Sequence, residues 1–215
     1  MAYTQTNFLS NSTRVNYIVN TAIENKLKNY QLTKLNTLNI TGGIPYPSSD
    51  IVIHKVDYDE EAGYFFVSTE FPAHKVERNI FPKEQYIDNL LIQMSATGQG
   101  AGKYIIINEI IEARKLGYKY MTVSAAKAKG LNGYYTWARF GYSMDELDYE
   151  NFLELMEMFR RKEMSIIELM KTQDGRDFWL ANGFWWEGYF DLADGSENMM
   201  AFQHYLAETG IDVSL

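Results

Sequence analysis

The chain has 215 residues, 46% of them hydrophobic, and carries 28 acidic against 20 basic side chains, which gives a net charge of −8. This length and composition predict a folded protein with a sizeable core, and the negative charge argues against nucleic acid as a partner. The absence of cysteine excludes disulfides and thiolate chemistry, and the lack of a signal-peptide pattern or of a roughly 20-residue apolar run predicts a cytoplasmic protein with no membrane partner.

The first predicted element is an amphipathic helix. Apolar residues recur at helical spacing over residues 14–30, and Thr13 precedes them as a candidate N-cap. After it, residues 35–40 predict a short strand.

A β-hairpin is predicted next. Residues 51–58 and 63–70 are rich in β-branched and aromatic side chains and flank the turn residues 59–62. Between residues 71 and 85, two prolines and several charged residues predict a loop, with or without a short strand.

The central stretch has the order strand, glycine-rich loop, helix, strand. The strand is predicted over residues 86–96, and the loop covers 97–103. Helical spacing of apolar residues predicts a helix over 103–116, closed by Gly117 as a left-handed C-cap. A second strand is predicted over 118–124.

A glycine loop that opens a helix directly after a strand favours anion binding, because free backbone N–H groups and the helix dipole point at one spot. The spacing excludes two nucleotide motifs. Lys103 is followed by Tyr104, whereas a P-loop needs Ser or Thr there. A dinucleotide fingerprint needs a third glycine where Lys103 stands and an acid where the chain has Ser124-Ala125-Ala126.

The remaining pattern has glycine at alternate positions, Gly98, Gly100 and Gly102, and is followed by an Asn-led aromatic helix over 131–142 that ends in Gly-Tyr. In both features, across about a quarter of the chain, the sequence resembles the GNAT superfamily of acyl-CoA N-acyltransferases. The resemblance implies an α/β (α+β) fold with a mixed, mostly antiparallel central sheet flanked by helices. Residues 1–142 would form this acyl-CoA-binding core.

Residues 143–215 are predicted to form a helical and aromatic extension packed on the core as one compact unit. A long amphipathic helix is predicted over 151–171. The aromatic stretch 178–192 predicts a helix end, a turn and a last strand, followed by a helix through Met199, Phe202 and Tyr205.

The resemblance implies an N-acetyltransferase that uses acetyl-CoA as co-substrate, needs no metal, and acylates a small-molecule or peptide amine. The amine would attack the thioester directly, without a covalent enzyme intermediate. The residues implied to bind the cofactor lie on the strand, in the loop and at the start of the aromatic helix. They are Leu91, Ile92, Gln93, Gly98, Gln99, Gly100, Ala101, Gly102, Lys103 and Asn132.

Three residues are candidates for proton transfer. Glu70 is the leading general base because it ends the strand before the cofactor strand, and His74 is the second candidate. Tyr135 is preferred to Tyr134 as the acid that protonates the leaving thiolate. Asn132 either caps the aromatic helix or contacts the pantetheine arm, and we expect capping.

A non-catalytic binding or assembly protein of the same shape, of cellular or phage origin, is the alternative. Two departures from the family pattern favour it: Thr97 stands where Arg or Gln is usual, and Trp137 where a tyrosine is usual. The acidic final third suits a cationic acceptor, and the aromatic region 178–190 leaves homodimerisation open. The three histidines have no metal-ligand spacing.

Overall fold

The computed structural model describes residues 14–43, 51–71, 74–94, 101–128 and 131–211. The chain divides into two compact units between Lys119 and Tyr120. The boundary predicted after Tyr142 falls inside the second unit. The described residues form a mixed α/β protein whose strands pair mostly antiparallel, as predicted.

The first unit holds five strands and three helices in its described part. They are β1 Arg14–Ile18, α1 Thr21–Asn29, α2 Lys34–Ile40, β2 Ile51–Asp59, β3 Tyr64–Phe71, β4 His74–Phe81, β5 Tyr86–Met94 and α3 Ala101–Lys115. The strands are hydrogen-bonded in the order β1-β2-β3-β4-β5. β1 runs parallel to β2, and the later pairs are antiparallel.

The strongest sequence signals in this unit are confirmed. The predicted hairpin is β2 and β3, the strand predicted over 86–96 is β5, and the following helix is α3. Gly117 has φ +79°, the left-handed conformation expected of a C-cap glycine.

The predicted helix over 14–30 is wrong in its first part. Residues 14–18 form β1, which is held by backbone pairing to β2, and the helix begins only at Thr21. Its N-cap is Asn20, whose Oδ1 accepts from the Ile23 amide at 2.9 Å, and Thr13 lies outside the described residues.

The strand predicted over 35–40 is a helix, α2. A reciprocal capping box fixes its start, since the Thr33 hydroxyl accepts from the Asn36 amide and the Asn36 side chain accepts from the Thr33 amide. Leu38 and Ile40 are fully buried, so packing adds to this cap.

The loop predicted over 71–85 contains strand β4. Its even-numbered residues are buried and its odd-numbered ones half-exposed, which is the alternation of a strand with one covered face. His74 and Arg78 occupy buried positions of this strand. Polar residues at core positions concealed the alternation in the sequence.

Helices α2 and α3 cover one face of this sheet. Val56, Val67 and Val76 are buried beneath them. Polar contacts join the layers: Thr37 of α2 lies 2.9 Å from the His54 ring of β2, and Glu109 of α3 pairs with Arg78 of β4. The neighbouring positions along each strand point to the opposite face.

The second unit holds five strands and five helices in its described part. They are β6 Tyr120–Ala125, β7 Lys127–Ala128, β8 Leu131–Asn132, α4 Gly133–Arg139, β9 Ser143–Met144, α5 Glu146–Met158, α6 Ile166–Met170, α7 Gln173–Asn182, β10 Trp186–Asp191 and α8 Glu197–Glu208. β10 pairs antiparallel with both β6 and β9, and β7 pairs with β8.

An aromatic core holds the second unit together. Trp179 and Trp186 are fully buried, and their indole nitrogens both donate to the carbonyl of Tyr134, at 3.0 and 2.9 Å. Phe190 and Phe202 pack against each other with their rings edge to face.

The turn, strand and helix predicted after residue 178 are confirmed as β10 and α8.

The long helix predicted over 151–171 is wrong because it is two helices. α5 ends at Met158, Arg160 takes φ +55°, and the Ser165 hydroxyl caps the start of α6. Phe159, which follows α5, is 48% exposed. No helix in the described part of the chain has the length and apolar character needed to cross a bilayer.

Candidate functional site

The cofactor strand predicted from the sequence carries a β-bulge. β5 pairs with β4 so that Leu91 lies opposite Glu77 and Asn89 opposite Arg78, which leaves Leu90 as an extra residue on β5. A bulge bends its strand, interrupts the ladder and is common next to active sites. This one immediately precedes Leu91, Ile92 and Gln93, the residues predicted to bind pantetheine.

The strand register brings several candidate residues to one end of the sheet. Glu70 lies opposite Lys75, which lies opposite Gln93. In the next row, Phe71 lies opposite His74, which lies opposite Met94. β5 leaves the sheet at this end and leads, through residues 95–100, into α3.

Glu70 is a solvent-facing carboxylate that shares its cation. Its side chain is 49% exposed and lies 3.3 Å from Lys75 Nζ, which also lies 2.7 Å from Glu77. The hydrogen bond to Glu77, and then the one to Glu70, raise the pKa of Lys75. The lysine therefore stays charged and one Glu70 oxygen is engaged, while the carboxylate remains open to solvent.

His74 occupies the opposite face of the sheet from Glu70. Glu70 pairs with Lys75 and therefore lies on the same face of the sheet. His74 precedes Lys75 on β4, and successive side chains of a strand point to opposite faces. His74 is only 9% exposed, and its ring meets Phe71 edge to face at 5.0 Å. The two candidate bases are thus alternatives that serve different faces and do not act as a pair.

Helix α3 begins beside the end of β5. A Cβ on Gly102 would lie 3.4 Å from Met94 Sδ, so helix and strand are in van der Waals range there. The first turn of this 15-residue helix contains no acidic residue. Ala101, Gly102 and Lys103 open α3, whereas Gly98, Gln99 and Gly100 lie outside the described residues, as does Thr97.

The two candidate phenols, Tyr134 and Tyr135, lie in the second unit and differ in burial. Tyr134 is buried, and its hydroxyl donates to the Leu180 carbonyl at 2.8 Å, so this phenol supports the core. Tyr135 is half-buried on the same helix. Trp137, at the position where the family usually has tyrosine, is buried with its ring 4.9 Å from that of Tyr142.

The capping role expected of Asn132 is wrong. Asn132 stands at the N-cap of α4, but its side chain makes no capping hydrogen bond. Its φ of −121° and ψ of 26° depart from the extended conformation typical of an N-cap, and its backbone pairs with Lys127. The exposed side chain is left for the second role, contact with a ligand.

Sequence reasoning missed a buried polar cluster beneath the sheet of the first unit. Arg78 falls in the stretch predicted as a loop, yet its guanidinium is fully buried. It donates from Nε to Asn89 Oδ1 at 2.6 Å and from Nη1 to the Ile40 carbonyl, and it pairs with Glu109. The available signal was partial: Val76 and Ile80 have the spacing of a covered strand face, while the polar His74 and Arg78 at the other two positions concealed it.

Comparison with known proteins identifies no family. The sequence matches no protein-family model and no curated protein. The resemblance of residues 86–142 to the GNAT superfamily thus stands on those residues themselves. In the described residues, no group of three or more His, Asp or Glu side chains is placed to hold a metal ion.

Proposed function

We propose that this protein is an N-acetyltransferase that transfers an acyl group from acetyl-CoA to an amine acceptor. One observation carries the proposal: a strand bulged at Leu90 leads through a short glycine-rich segment into α3, whose first turn lacks acids and lies against Met94. Glu70 and His74, the candidate bases, stand at the same end of the sheet.

The cofactor would be held mainly by the main chain. Backbone N–H groups of Gln99 to Lys103, together with the positive end of the α3 dipole, would bind the pyrophosphate. The pantetheine arm would run along Leu91 to Gln93, just after the bulge. A backbone N–H of this segment would polarise the thioester carbonyl.

The proposed chemistry needs one base and one acid. The acceptor ammonium loses a proton to Glu70, directly or through water, and the neutral amine attacks the carbonyl carbon. The new C–N bond forms as the C–S bond breaks, and Tyr135, the acid that the resemblance implies, protonates the departing thiolate. The amide nitrogen then releases its extra proton to solvent, and solvent reprotonates Tyr135. His74 is the alternative base if the amine approaches from the covered face.

A non-catalytic binding or assembly protein is the second candidate. Two observations favour it: Lys75 already engages one Glu70 oxygen, and Trp137 fills a core position where the family usually has its tyrosine. In this hypothesis the protein has the same fold and still binds an anion at the glycine loop, but it does not catalyse acyl transfer.

Thermal unfolding with coenzyme A and with acetyl-CoA, combined with an assay for free thiol, distinguishes the candidates. A transferase melts at a higher temperature with either ligand and releases thiol from acetyl-CoA when an amine is added. A binding protein shows the thermal shift without thiol release. Absence of any shift at millimolar ligand would refute the transferase proposal.

A pair of valine substitutions tests the loop assignment. In Gly100→Val, a branched Cβ would block the approach of the phosphates to the backbone, so the thermal shift should disappear. Ala62→Val, in the exposed β2–β3 turn, is the matched control and should keep it. Equal ligand affinity in both variants would contradict the assignment.

A further inference from the structure

A cavity of about 170 Å³ lies at the surface of the second unit, lined by residues of α4, α6 and α8 and of the segments that follow them. Its wall is largely apolar and includes Ala138, Ile167 and Met170, all buried, and the exposed Met200. A dry apolar cavity of about this size is large enough to bind benzene. The space therefore suits a small organic molecule with an apolar body.

The α4–α8 wall of this cavity is tightly packed. Gly141 follows α4 with φ +88°, and a Cβ there would lie 2.9 Å from the Ala201 Cβ of α8. The Asn198 side chain of α8 donates to the Gly141 carbonyl at 2.8 Å. Close packing and this buried hydrogen bond fix the wall without a ligand.

One end of the cavity is basic. Arg139 Nη1 donates to the Met170 carbonyl at 3.4 Å, and the guanidinium lies 5.2 Å from the centre of the Tyr205 ring. Lys171 follows Met170, and His204 precedes Tyr205, so both positions adjoin a residue that Arg139 contacts. All three line the cavity.

Two of these basic groups remain available to a ligand. Arg139 is already engaged, since its Nη2 lies 3.0 Å from Glu208, which also lies 3.2 Å from Arg176. Among the residues that the structure describes, Lys171 Nζ has no ion-pair partner, and Lys171 and His204 are both exposed.

Glu197 is the one acid among the described residues of the lining. It precedes His204 by seven positions on α8, which is roughly 10 Å along a helix axis. Glu197 therefore lies well away from His204, whereas Glu208, which is not part of the lining, pairs with Arg139.

The charge of this cavity opposes that of its surroundings. Residues 120–212 carry eight Lys or Arg against sixteen Asp or Glu, while the lining has Arg139 and Lys171 against Glu197. The His204 ring adds an N–H donor to the lining. An inorganic anion would gain nothing from the apolar wall, and a neutral hydrocarbon nothing from the basic end. A small apolar acid uses both.

We propose that this cavity is a binding site for a small monocarboxylate with an apolar body on the order of six carbons. The carboxylate would contact Lys171 Nζ and the His204 ring, and the hydrocarbon would lie against Met170, Ile167 and Met200. Binding at this cavity requires neither acetyl-CoA nor acyl transfer, so this proposal can be tested independently of the proposed function.

Methyl NMR of the methionine-labelled full chain tests the site. Sodium hexanoate at pH 7 should shift the Met170 and Met200 methyl signals in a saturable way and leave Met158, 75% exposed on α5, unchanged. Hexanamide, its uncharged analogue, should bind about tenfold more weakly, and hexylamine more weakly still. No saturable shift with hexanoate, or equal binding of the three compounds, would overturn the proposal.

Charge-removing variants locate the carboxylate. The double variant Lys171→Gln/His204→Gln should weaken hexanoate by about tenfold or more and leave hexanamide unchanged. Lys162→Gln, an exposed lysine outside the lining, is the matched control and should bind hexanoate as the parent does. Lys171 and His204 are both exposed, so the double variant should have the melting temperature of the parent protein. Unchanged hexanoate affinity in the double variant would overturn the site.

Discussion

Arg78 Nη2 lies 2.9 Å from Glu109 Oε2, and neither side chain is exposed to solvent. Burial raises the pKa of Glu109 to about 7, although the neighbouring Arg78 lowers it. The same guanidinium contacts Asn89 of β5 and the Ile40 carbonyl of α2. One buried arginine thus joins two strands and two helices of the first unit.

Replacement of Arg78 alone should strongly destabilise the fold. Arg78→Met leaves Glu109 buried without its cation, and we expect a loss of about 3–5 kcal/mol in the free energy of unfolding. The double variant Arg78→Met/Glu109→Met removes both charges and should recover much of that loss. Urea denaturation measures both. A double variant no more stable than Arg78→Met would contradict this account.

The buried His54 should make the folded protein less stable in mild acid. Its two ring nitrogens lie 2.9 Å from the Thr37 hydroxyl and 2.8 Å from that of Thr69, and burial lowers its pKa from 6.5 to about 4. Between these values the unfolded chain binds a proton that the folded chain does not, so stability falls as pH falls. The full difference is about 3 kcal/mol. His54→Gln should reduce this slope in denaturation curves taken from pH 7 to 4.

Glu109 acts in the opposite direction over nearly the same range. Its folded pKa of about 7 exceeds the ordinary 4.5, so the folded chain binds the extra proton and this contribution to stability is lost as pH rises. Glu109→Gln should therefore steepen the acid-induced loss that His54 causes. A slope that stays the same in this variant would show that Glu109 does not titrate in the window.

The fold was predictable from the sequence where one local pattern decided the outcome. Alternating apolar residues identified β2 and β3, and the glycine loop marked the junction of β5 and α3. The failures have separate physical causes. β1 depends on pairing with a strand distant in the sequence, and β4 places His74 and Arg78 at core positions, where packing overrides hydropathy.

The candidate site was predictable to a lesser extent. The register of β3, β4 and β5 brings Glu70, His74 and Gln93 to one end of the sheet. The sequence did not indicate this, because the predicted loop over 71–85 stands where β4 forms. It also gave no indication that Glu70 and His74 face opposite sides, because that depends on the pairing register of β3 with β4. The basic cavity draws on three separate helices, so no local pattern in the sequence contains it.

The two candidate phenols should separate structure from catalysis. Tyr134→Phe removes the hydrogen bond to the Leu180 carbonyl and should cost about 1 kcal/mol of stability with little effect on acyl transfer. Tyr135→Phe should leave stability within about 0.5 kcal/mol and slow thiol release. The opposite pattern, with activity lost only in Tyr134→Phe, would reassign the acid.

Glu70 and Glu77 form a matched pair for testing the general base, since both carboxylates contact Lys75. Glu70→Gln should lower kcat by about a hundredfold or more while the thermal shift with coenzyme A persists. Glu77→Gln removes the closer partner of the same lysine and should leave kcat nearly unchanged. Equal losses would trace the effect to Lys75, and full activity in Glu70→Gln would move the role to His74.

Two glycines in the left-handed region separate backbone strain from crowding. Gly195 has φ +76° and open space around it, so Gly195→Ala should cost about 1–2 kcal/mol from its backbone conformation alone. Gly141 has φ +88°, and its added Cβ would also lie 2.9 Å from both the Ala201 Cβ and the Asn198 carbonyl oxygen. Overpacking adds about 1–3 kcal/mol, so Gly141→Ala should be clearly the less stable variant in urea denaturation. Equal losses would mean that α8 shifts freely away from Gly141, and the cavity wall would then be less rigid than these contacts imply.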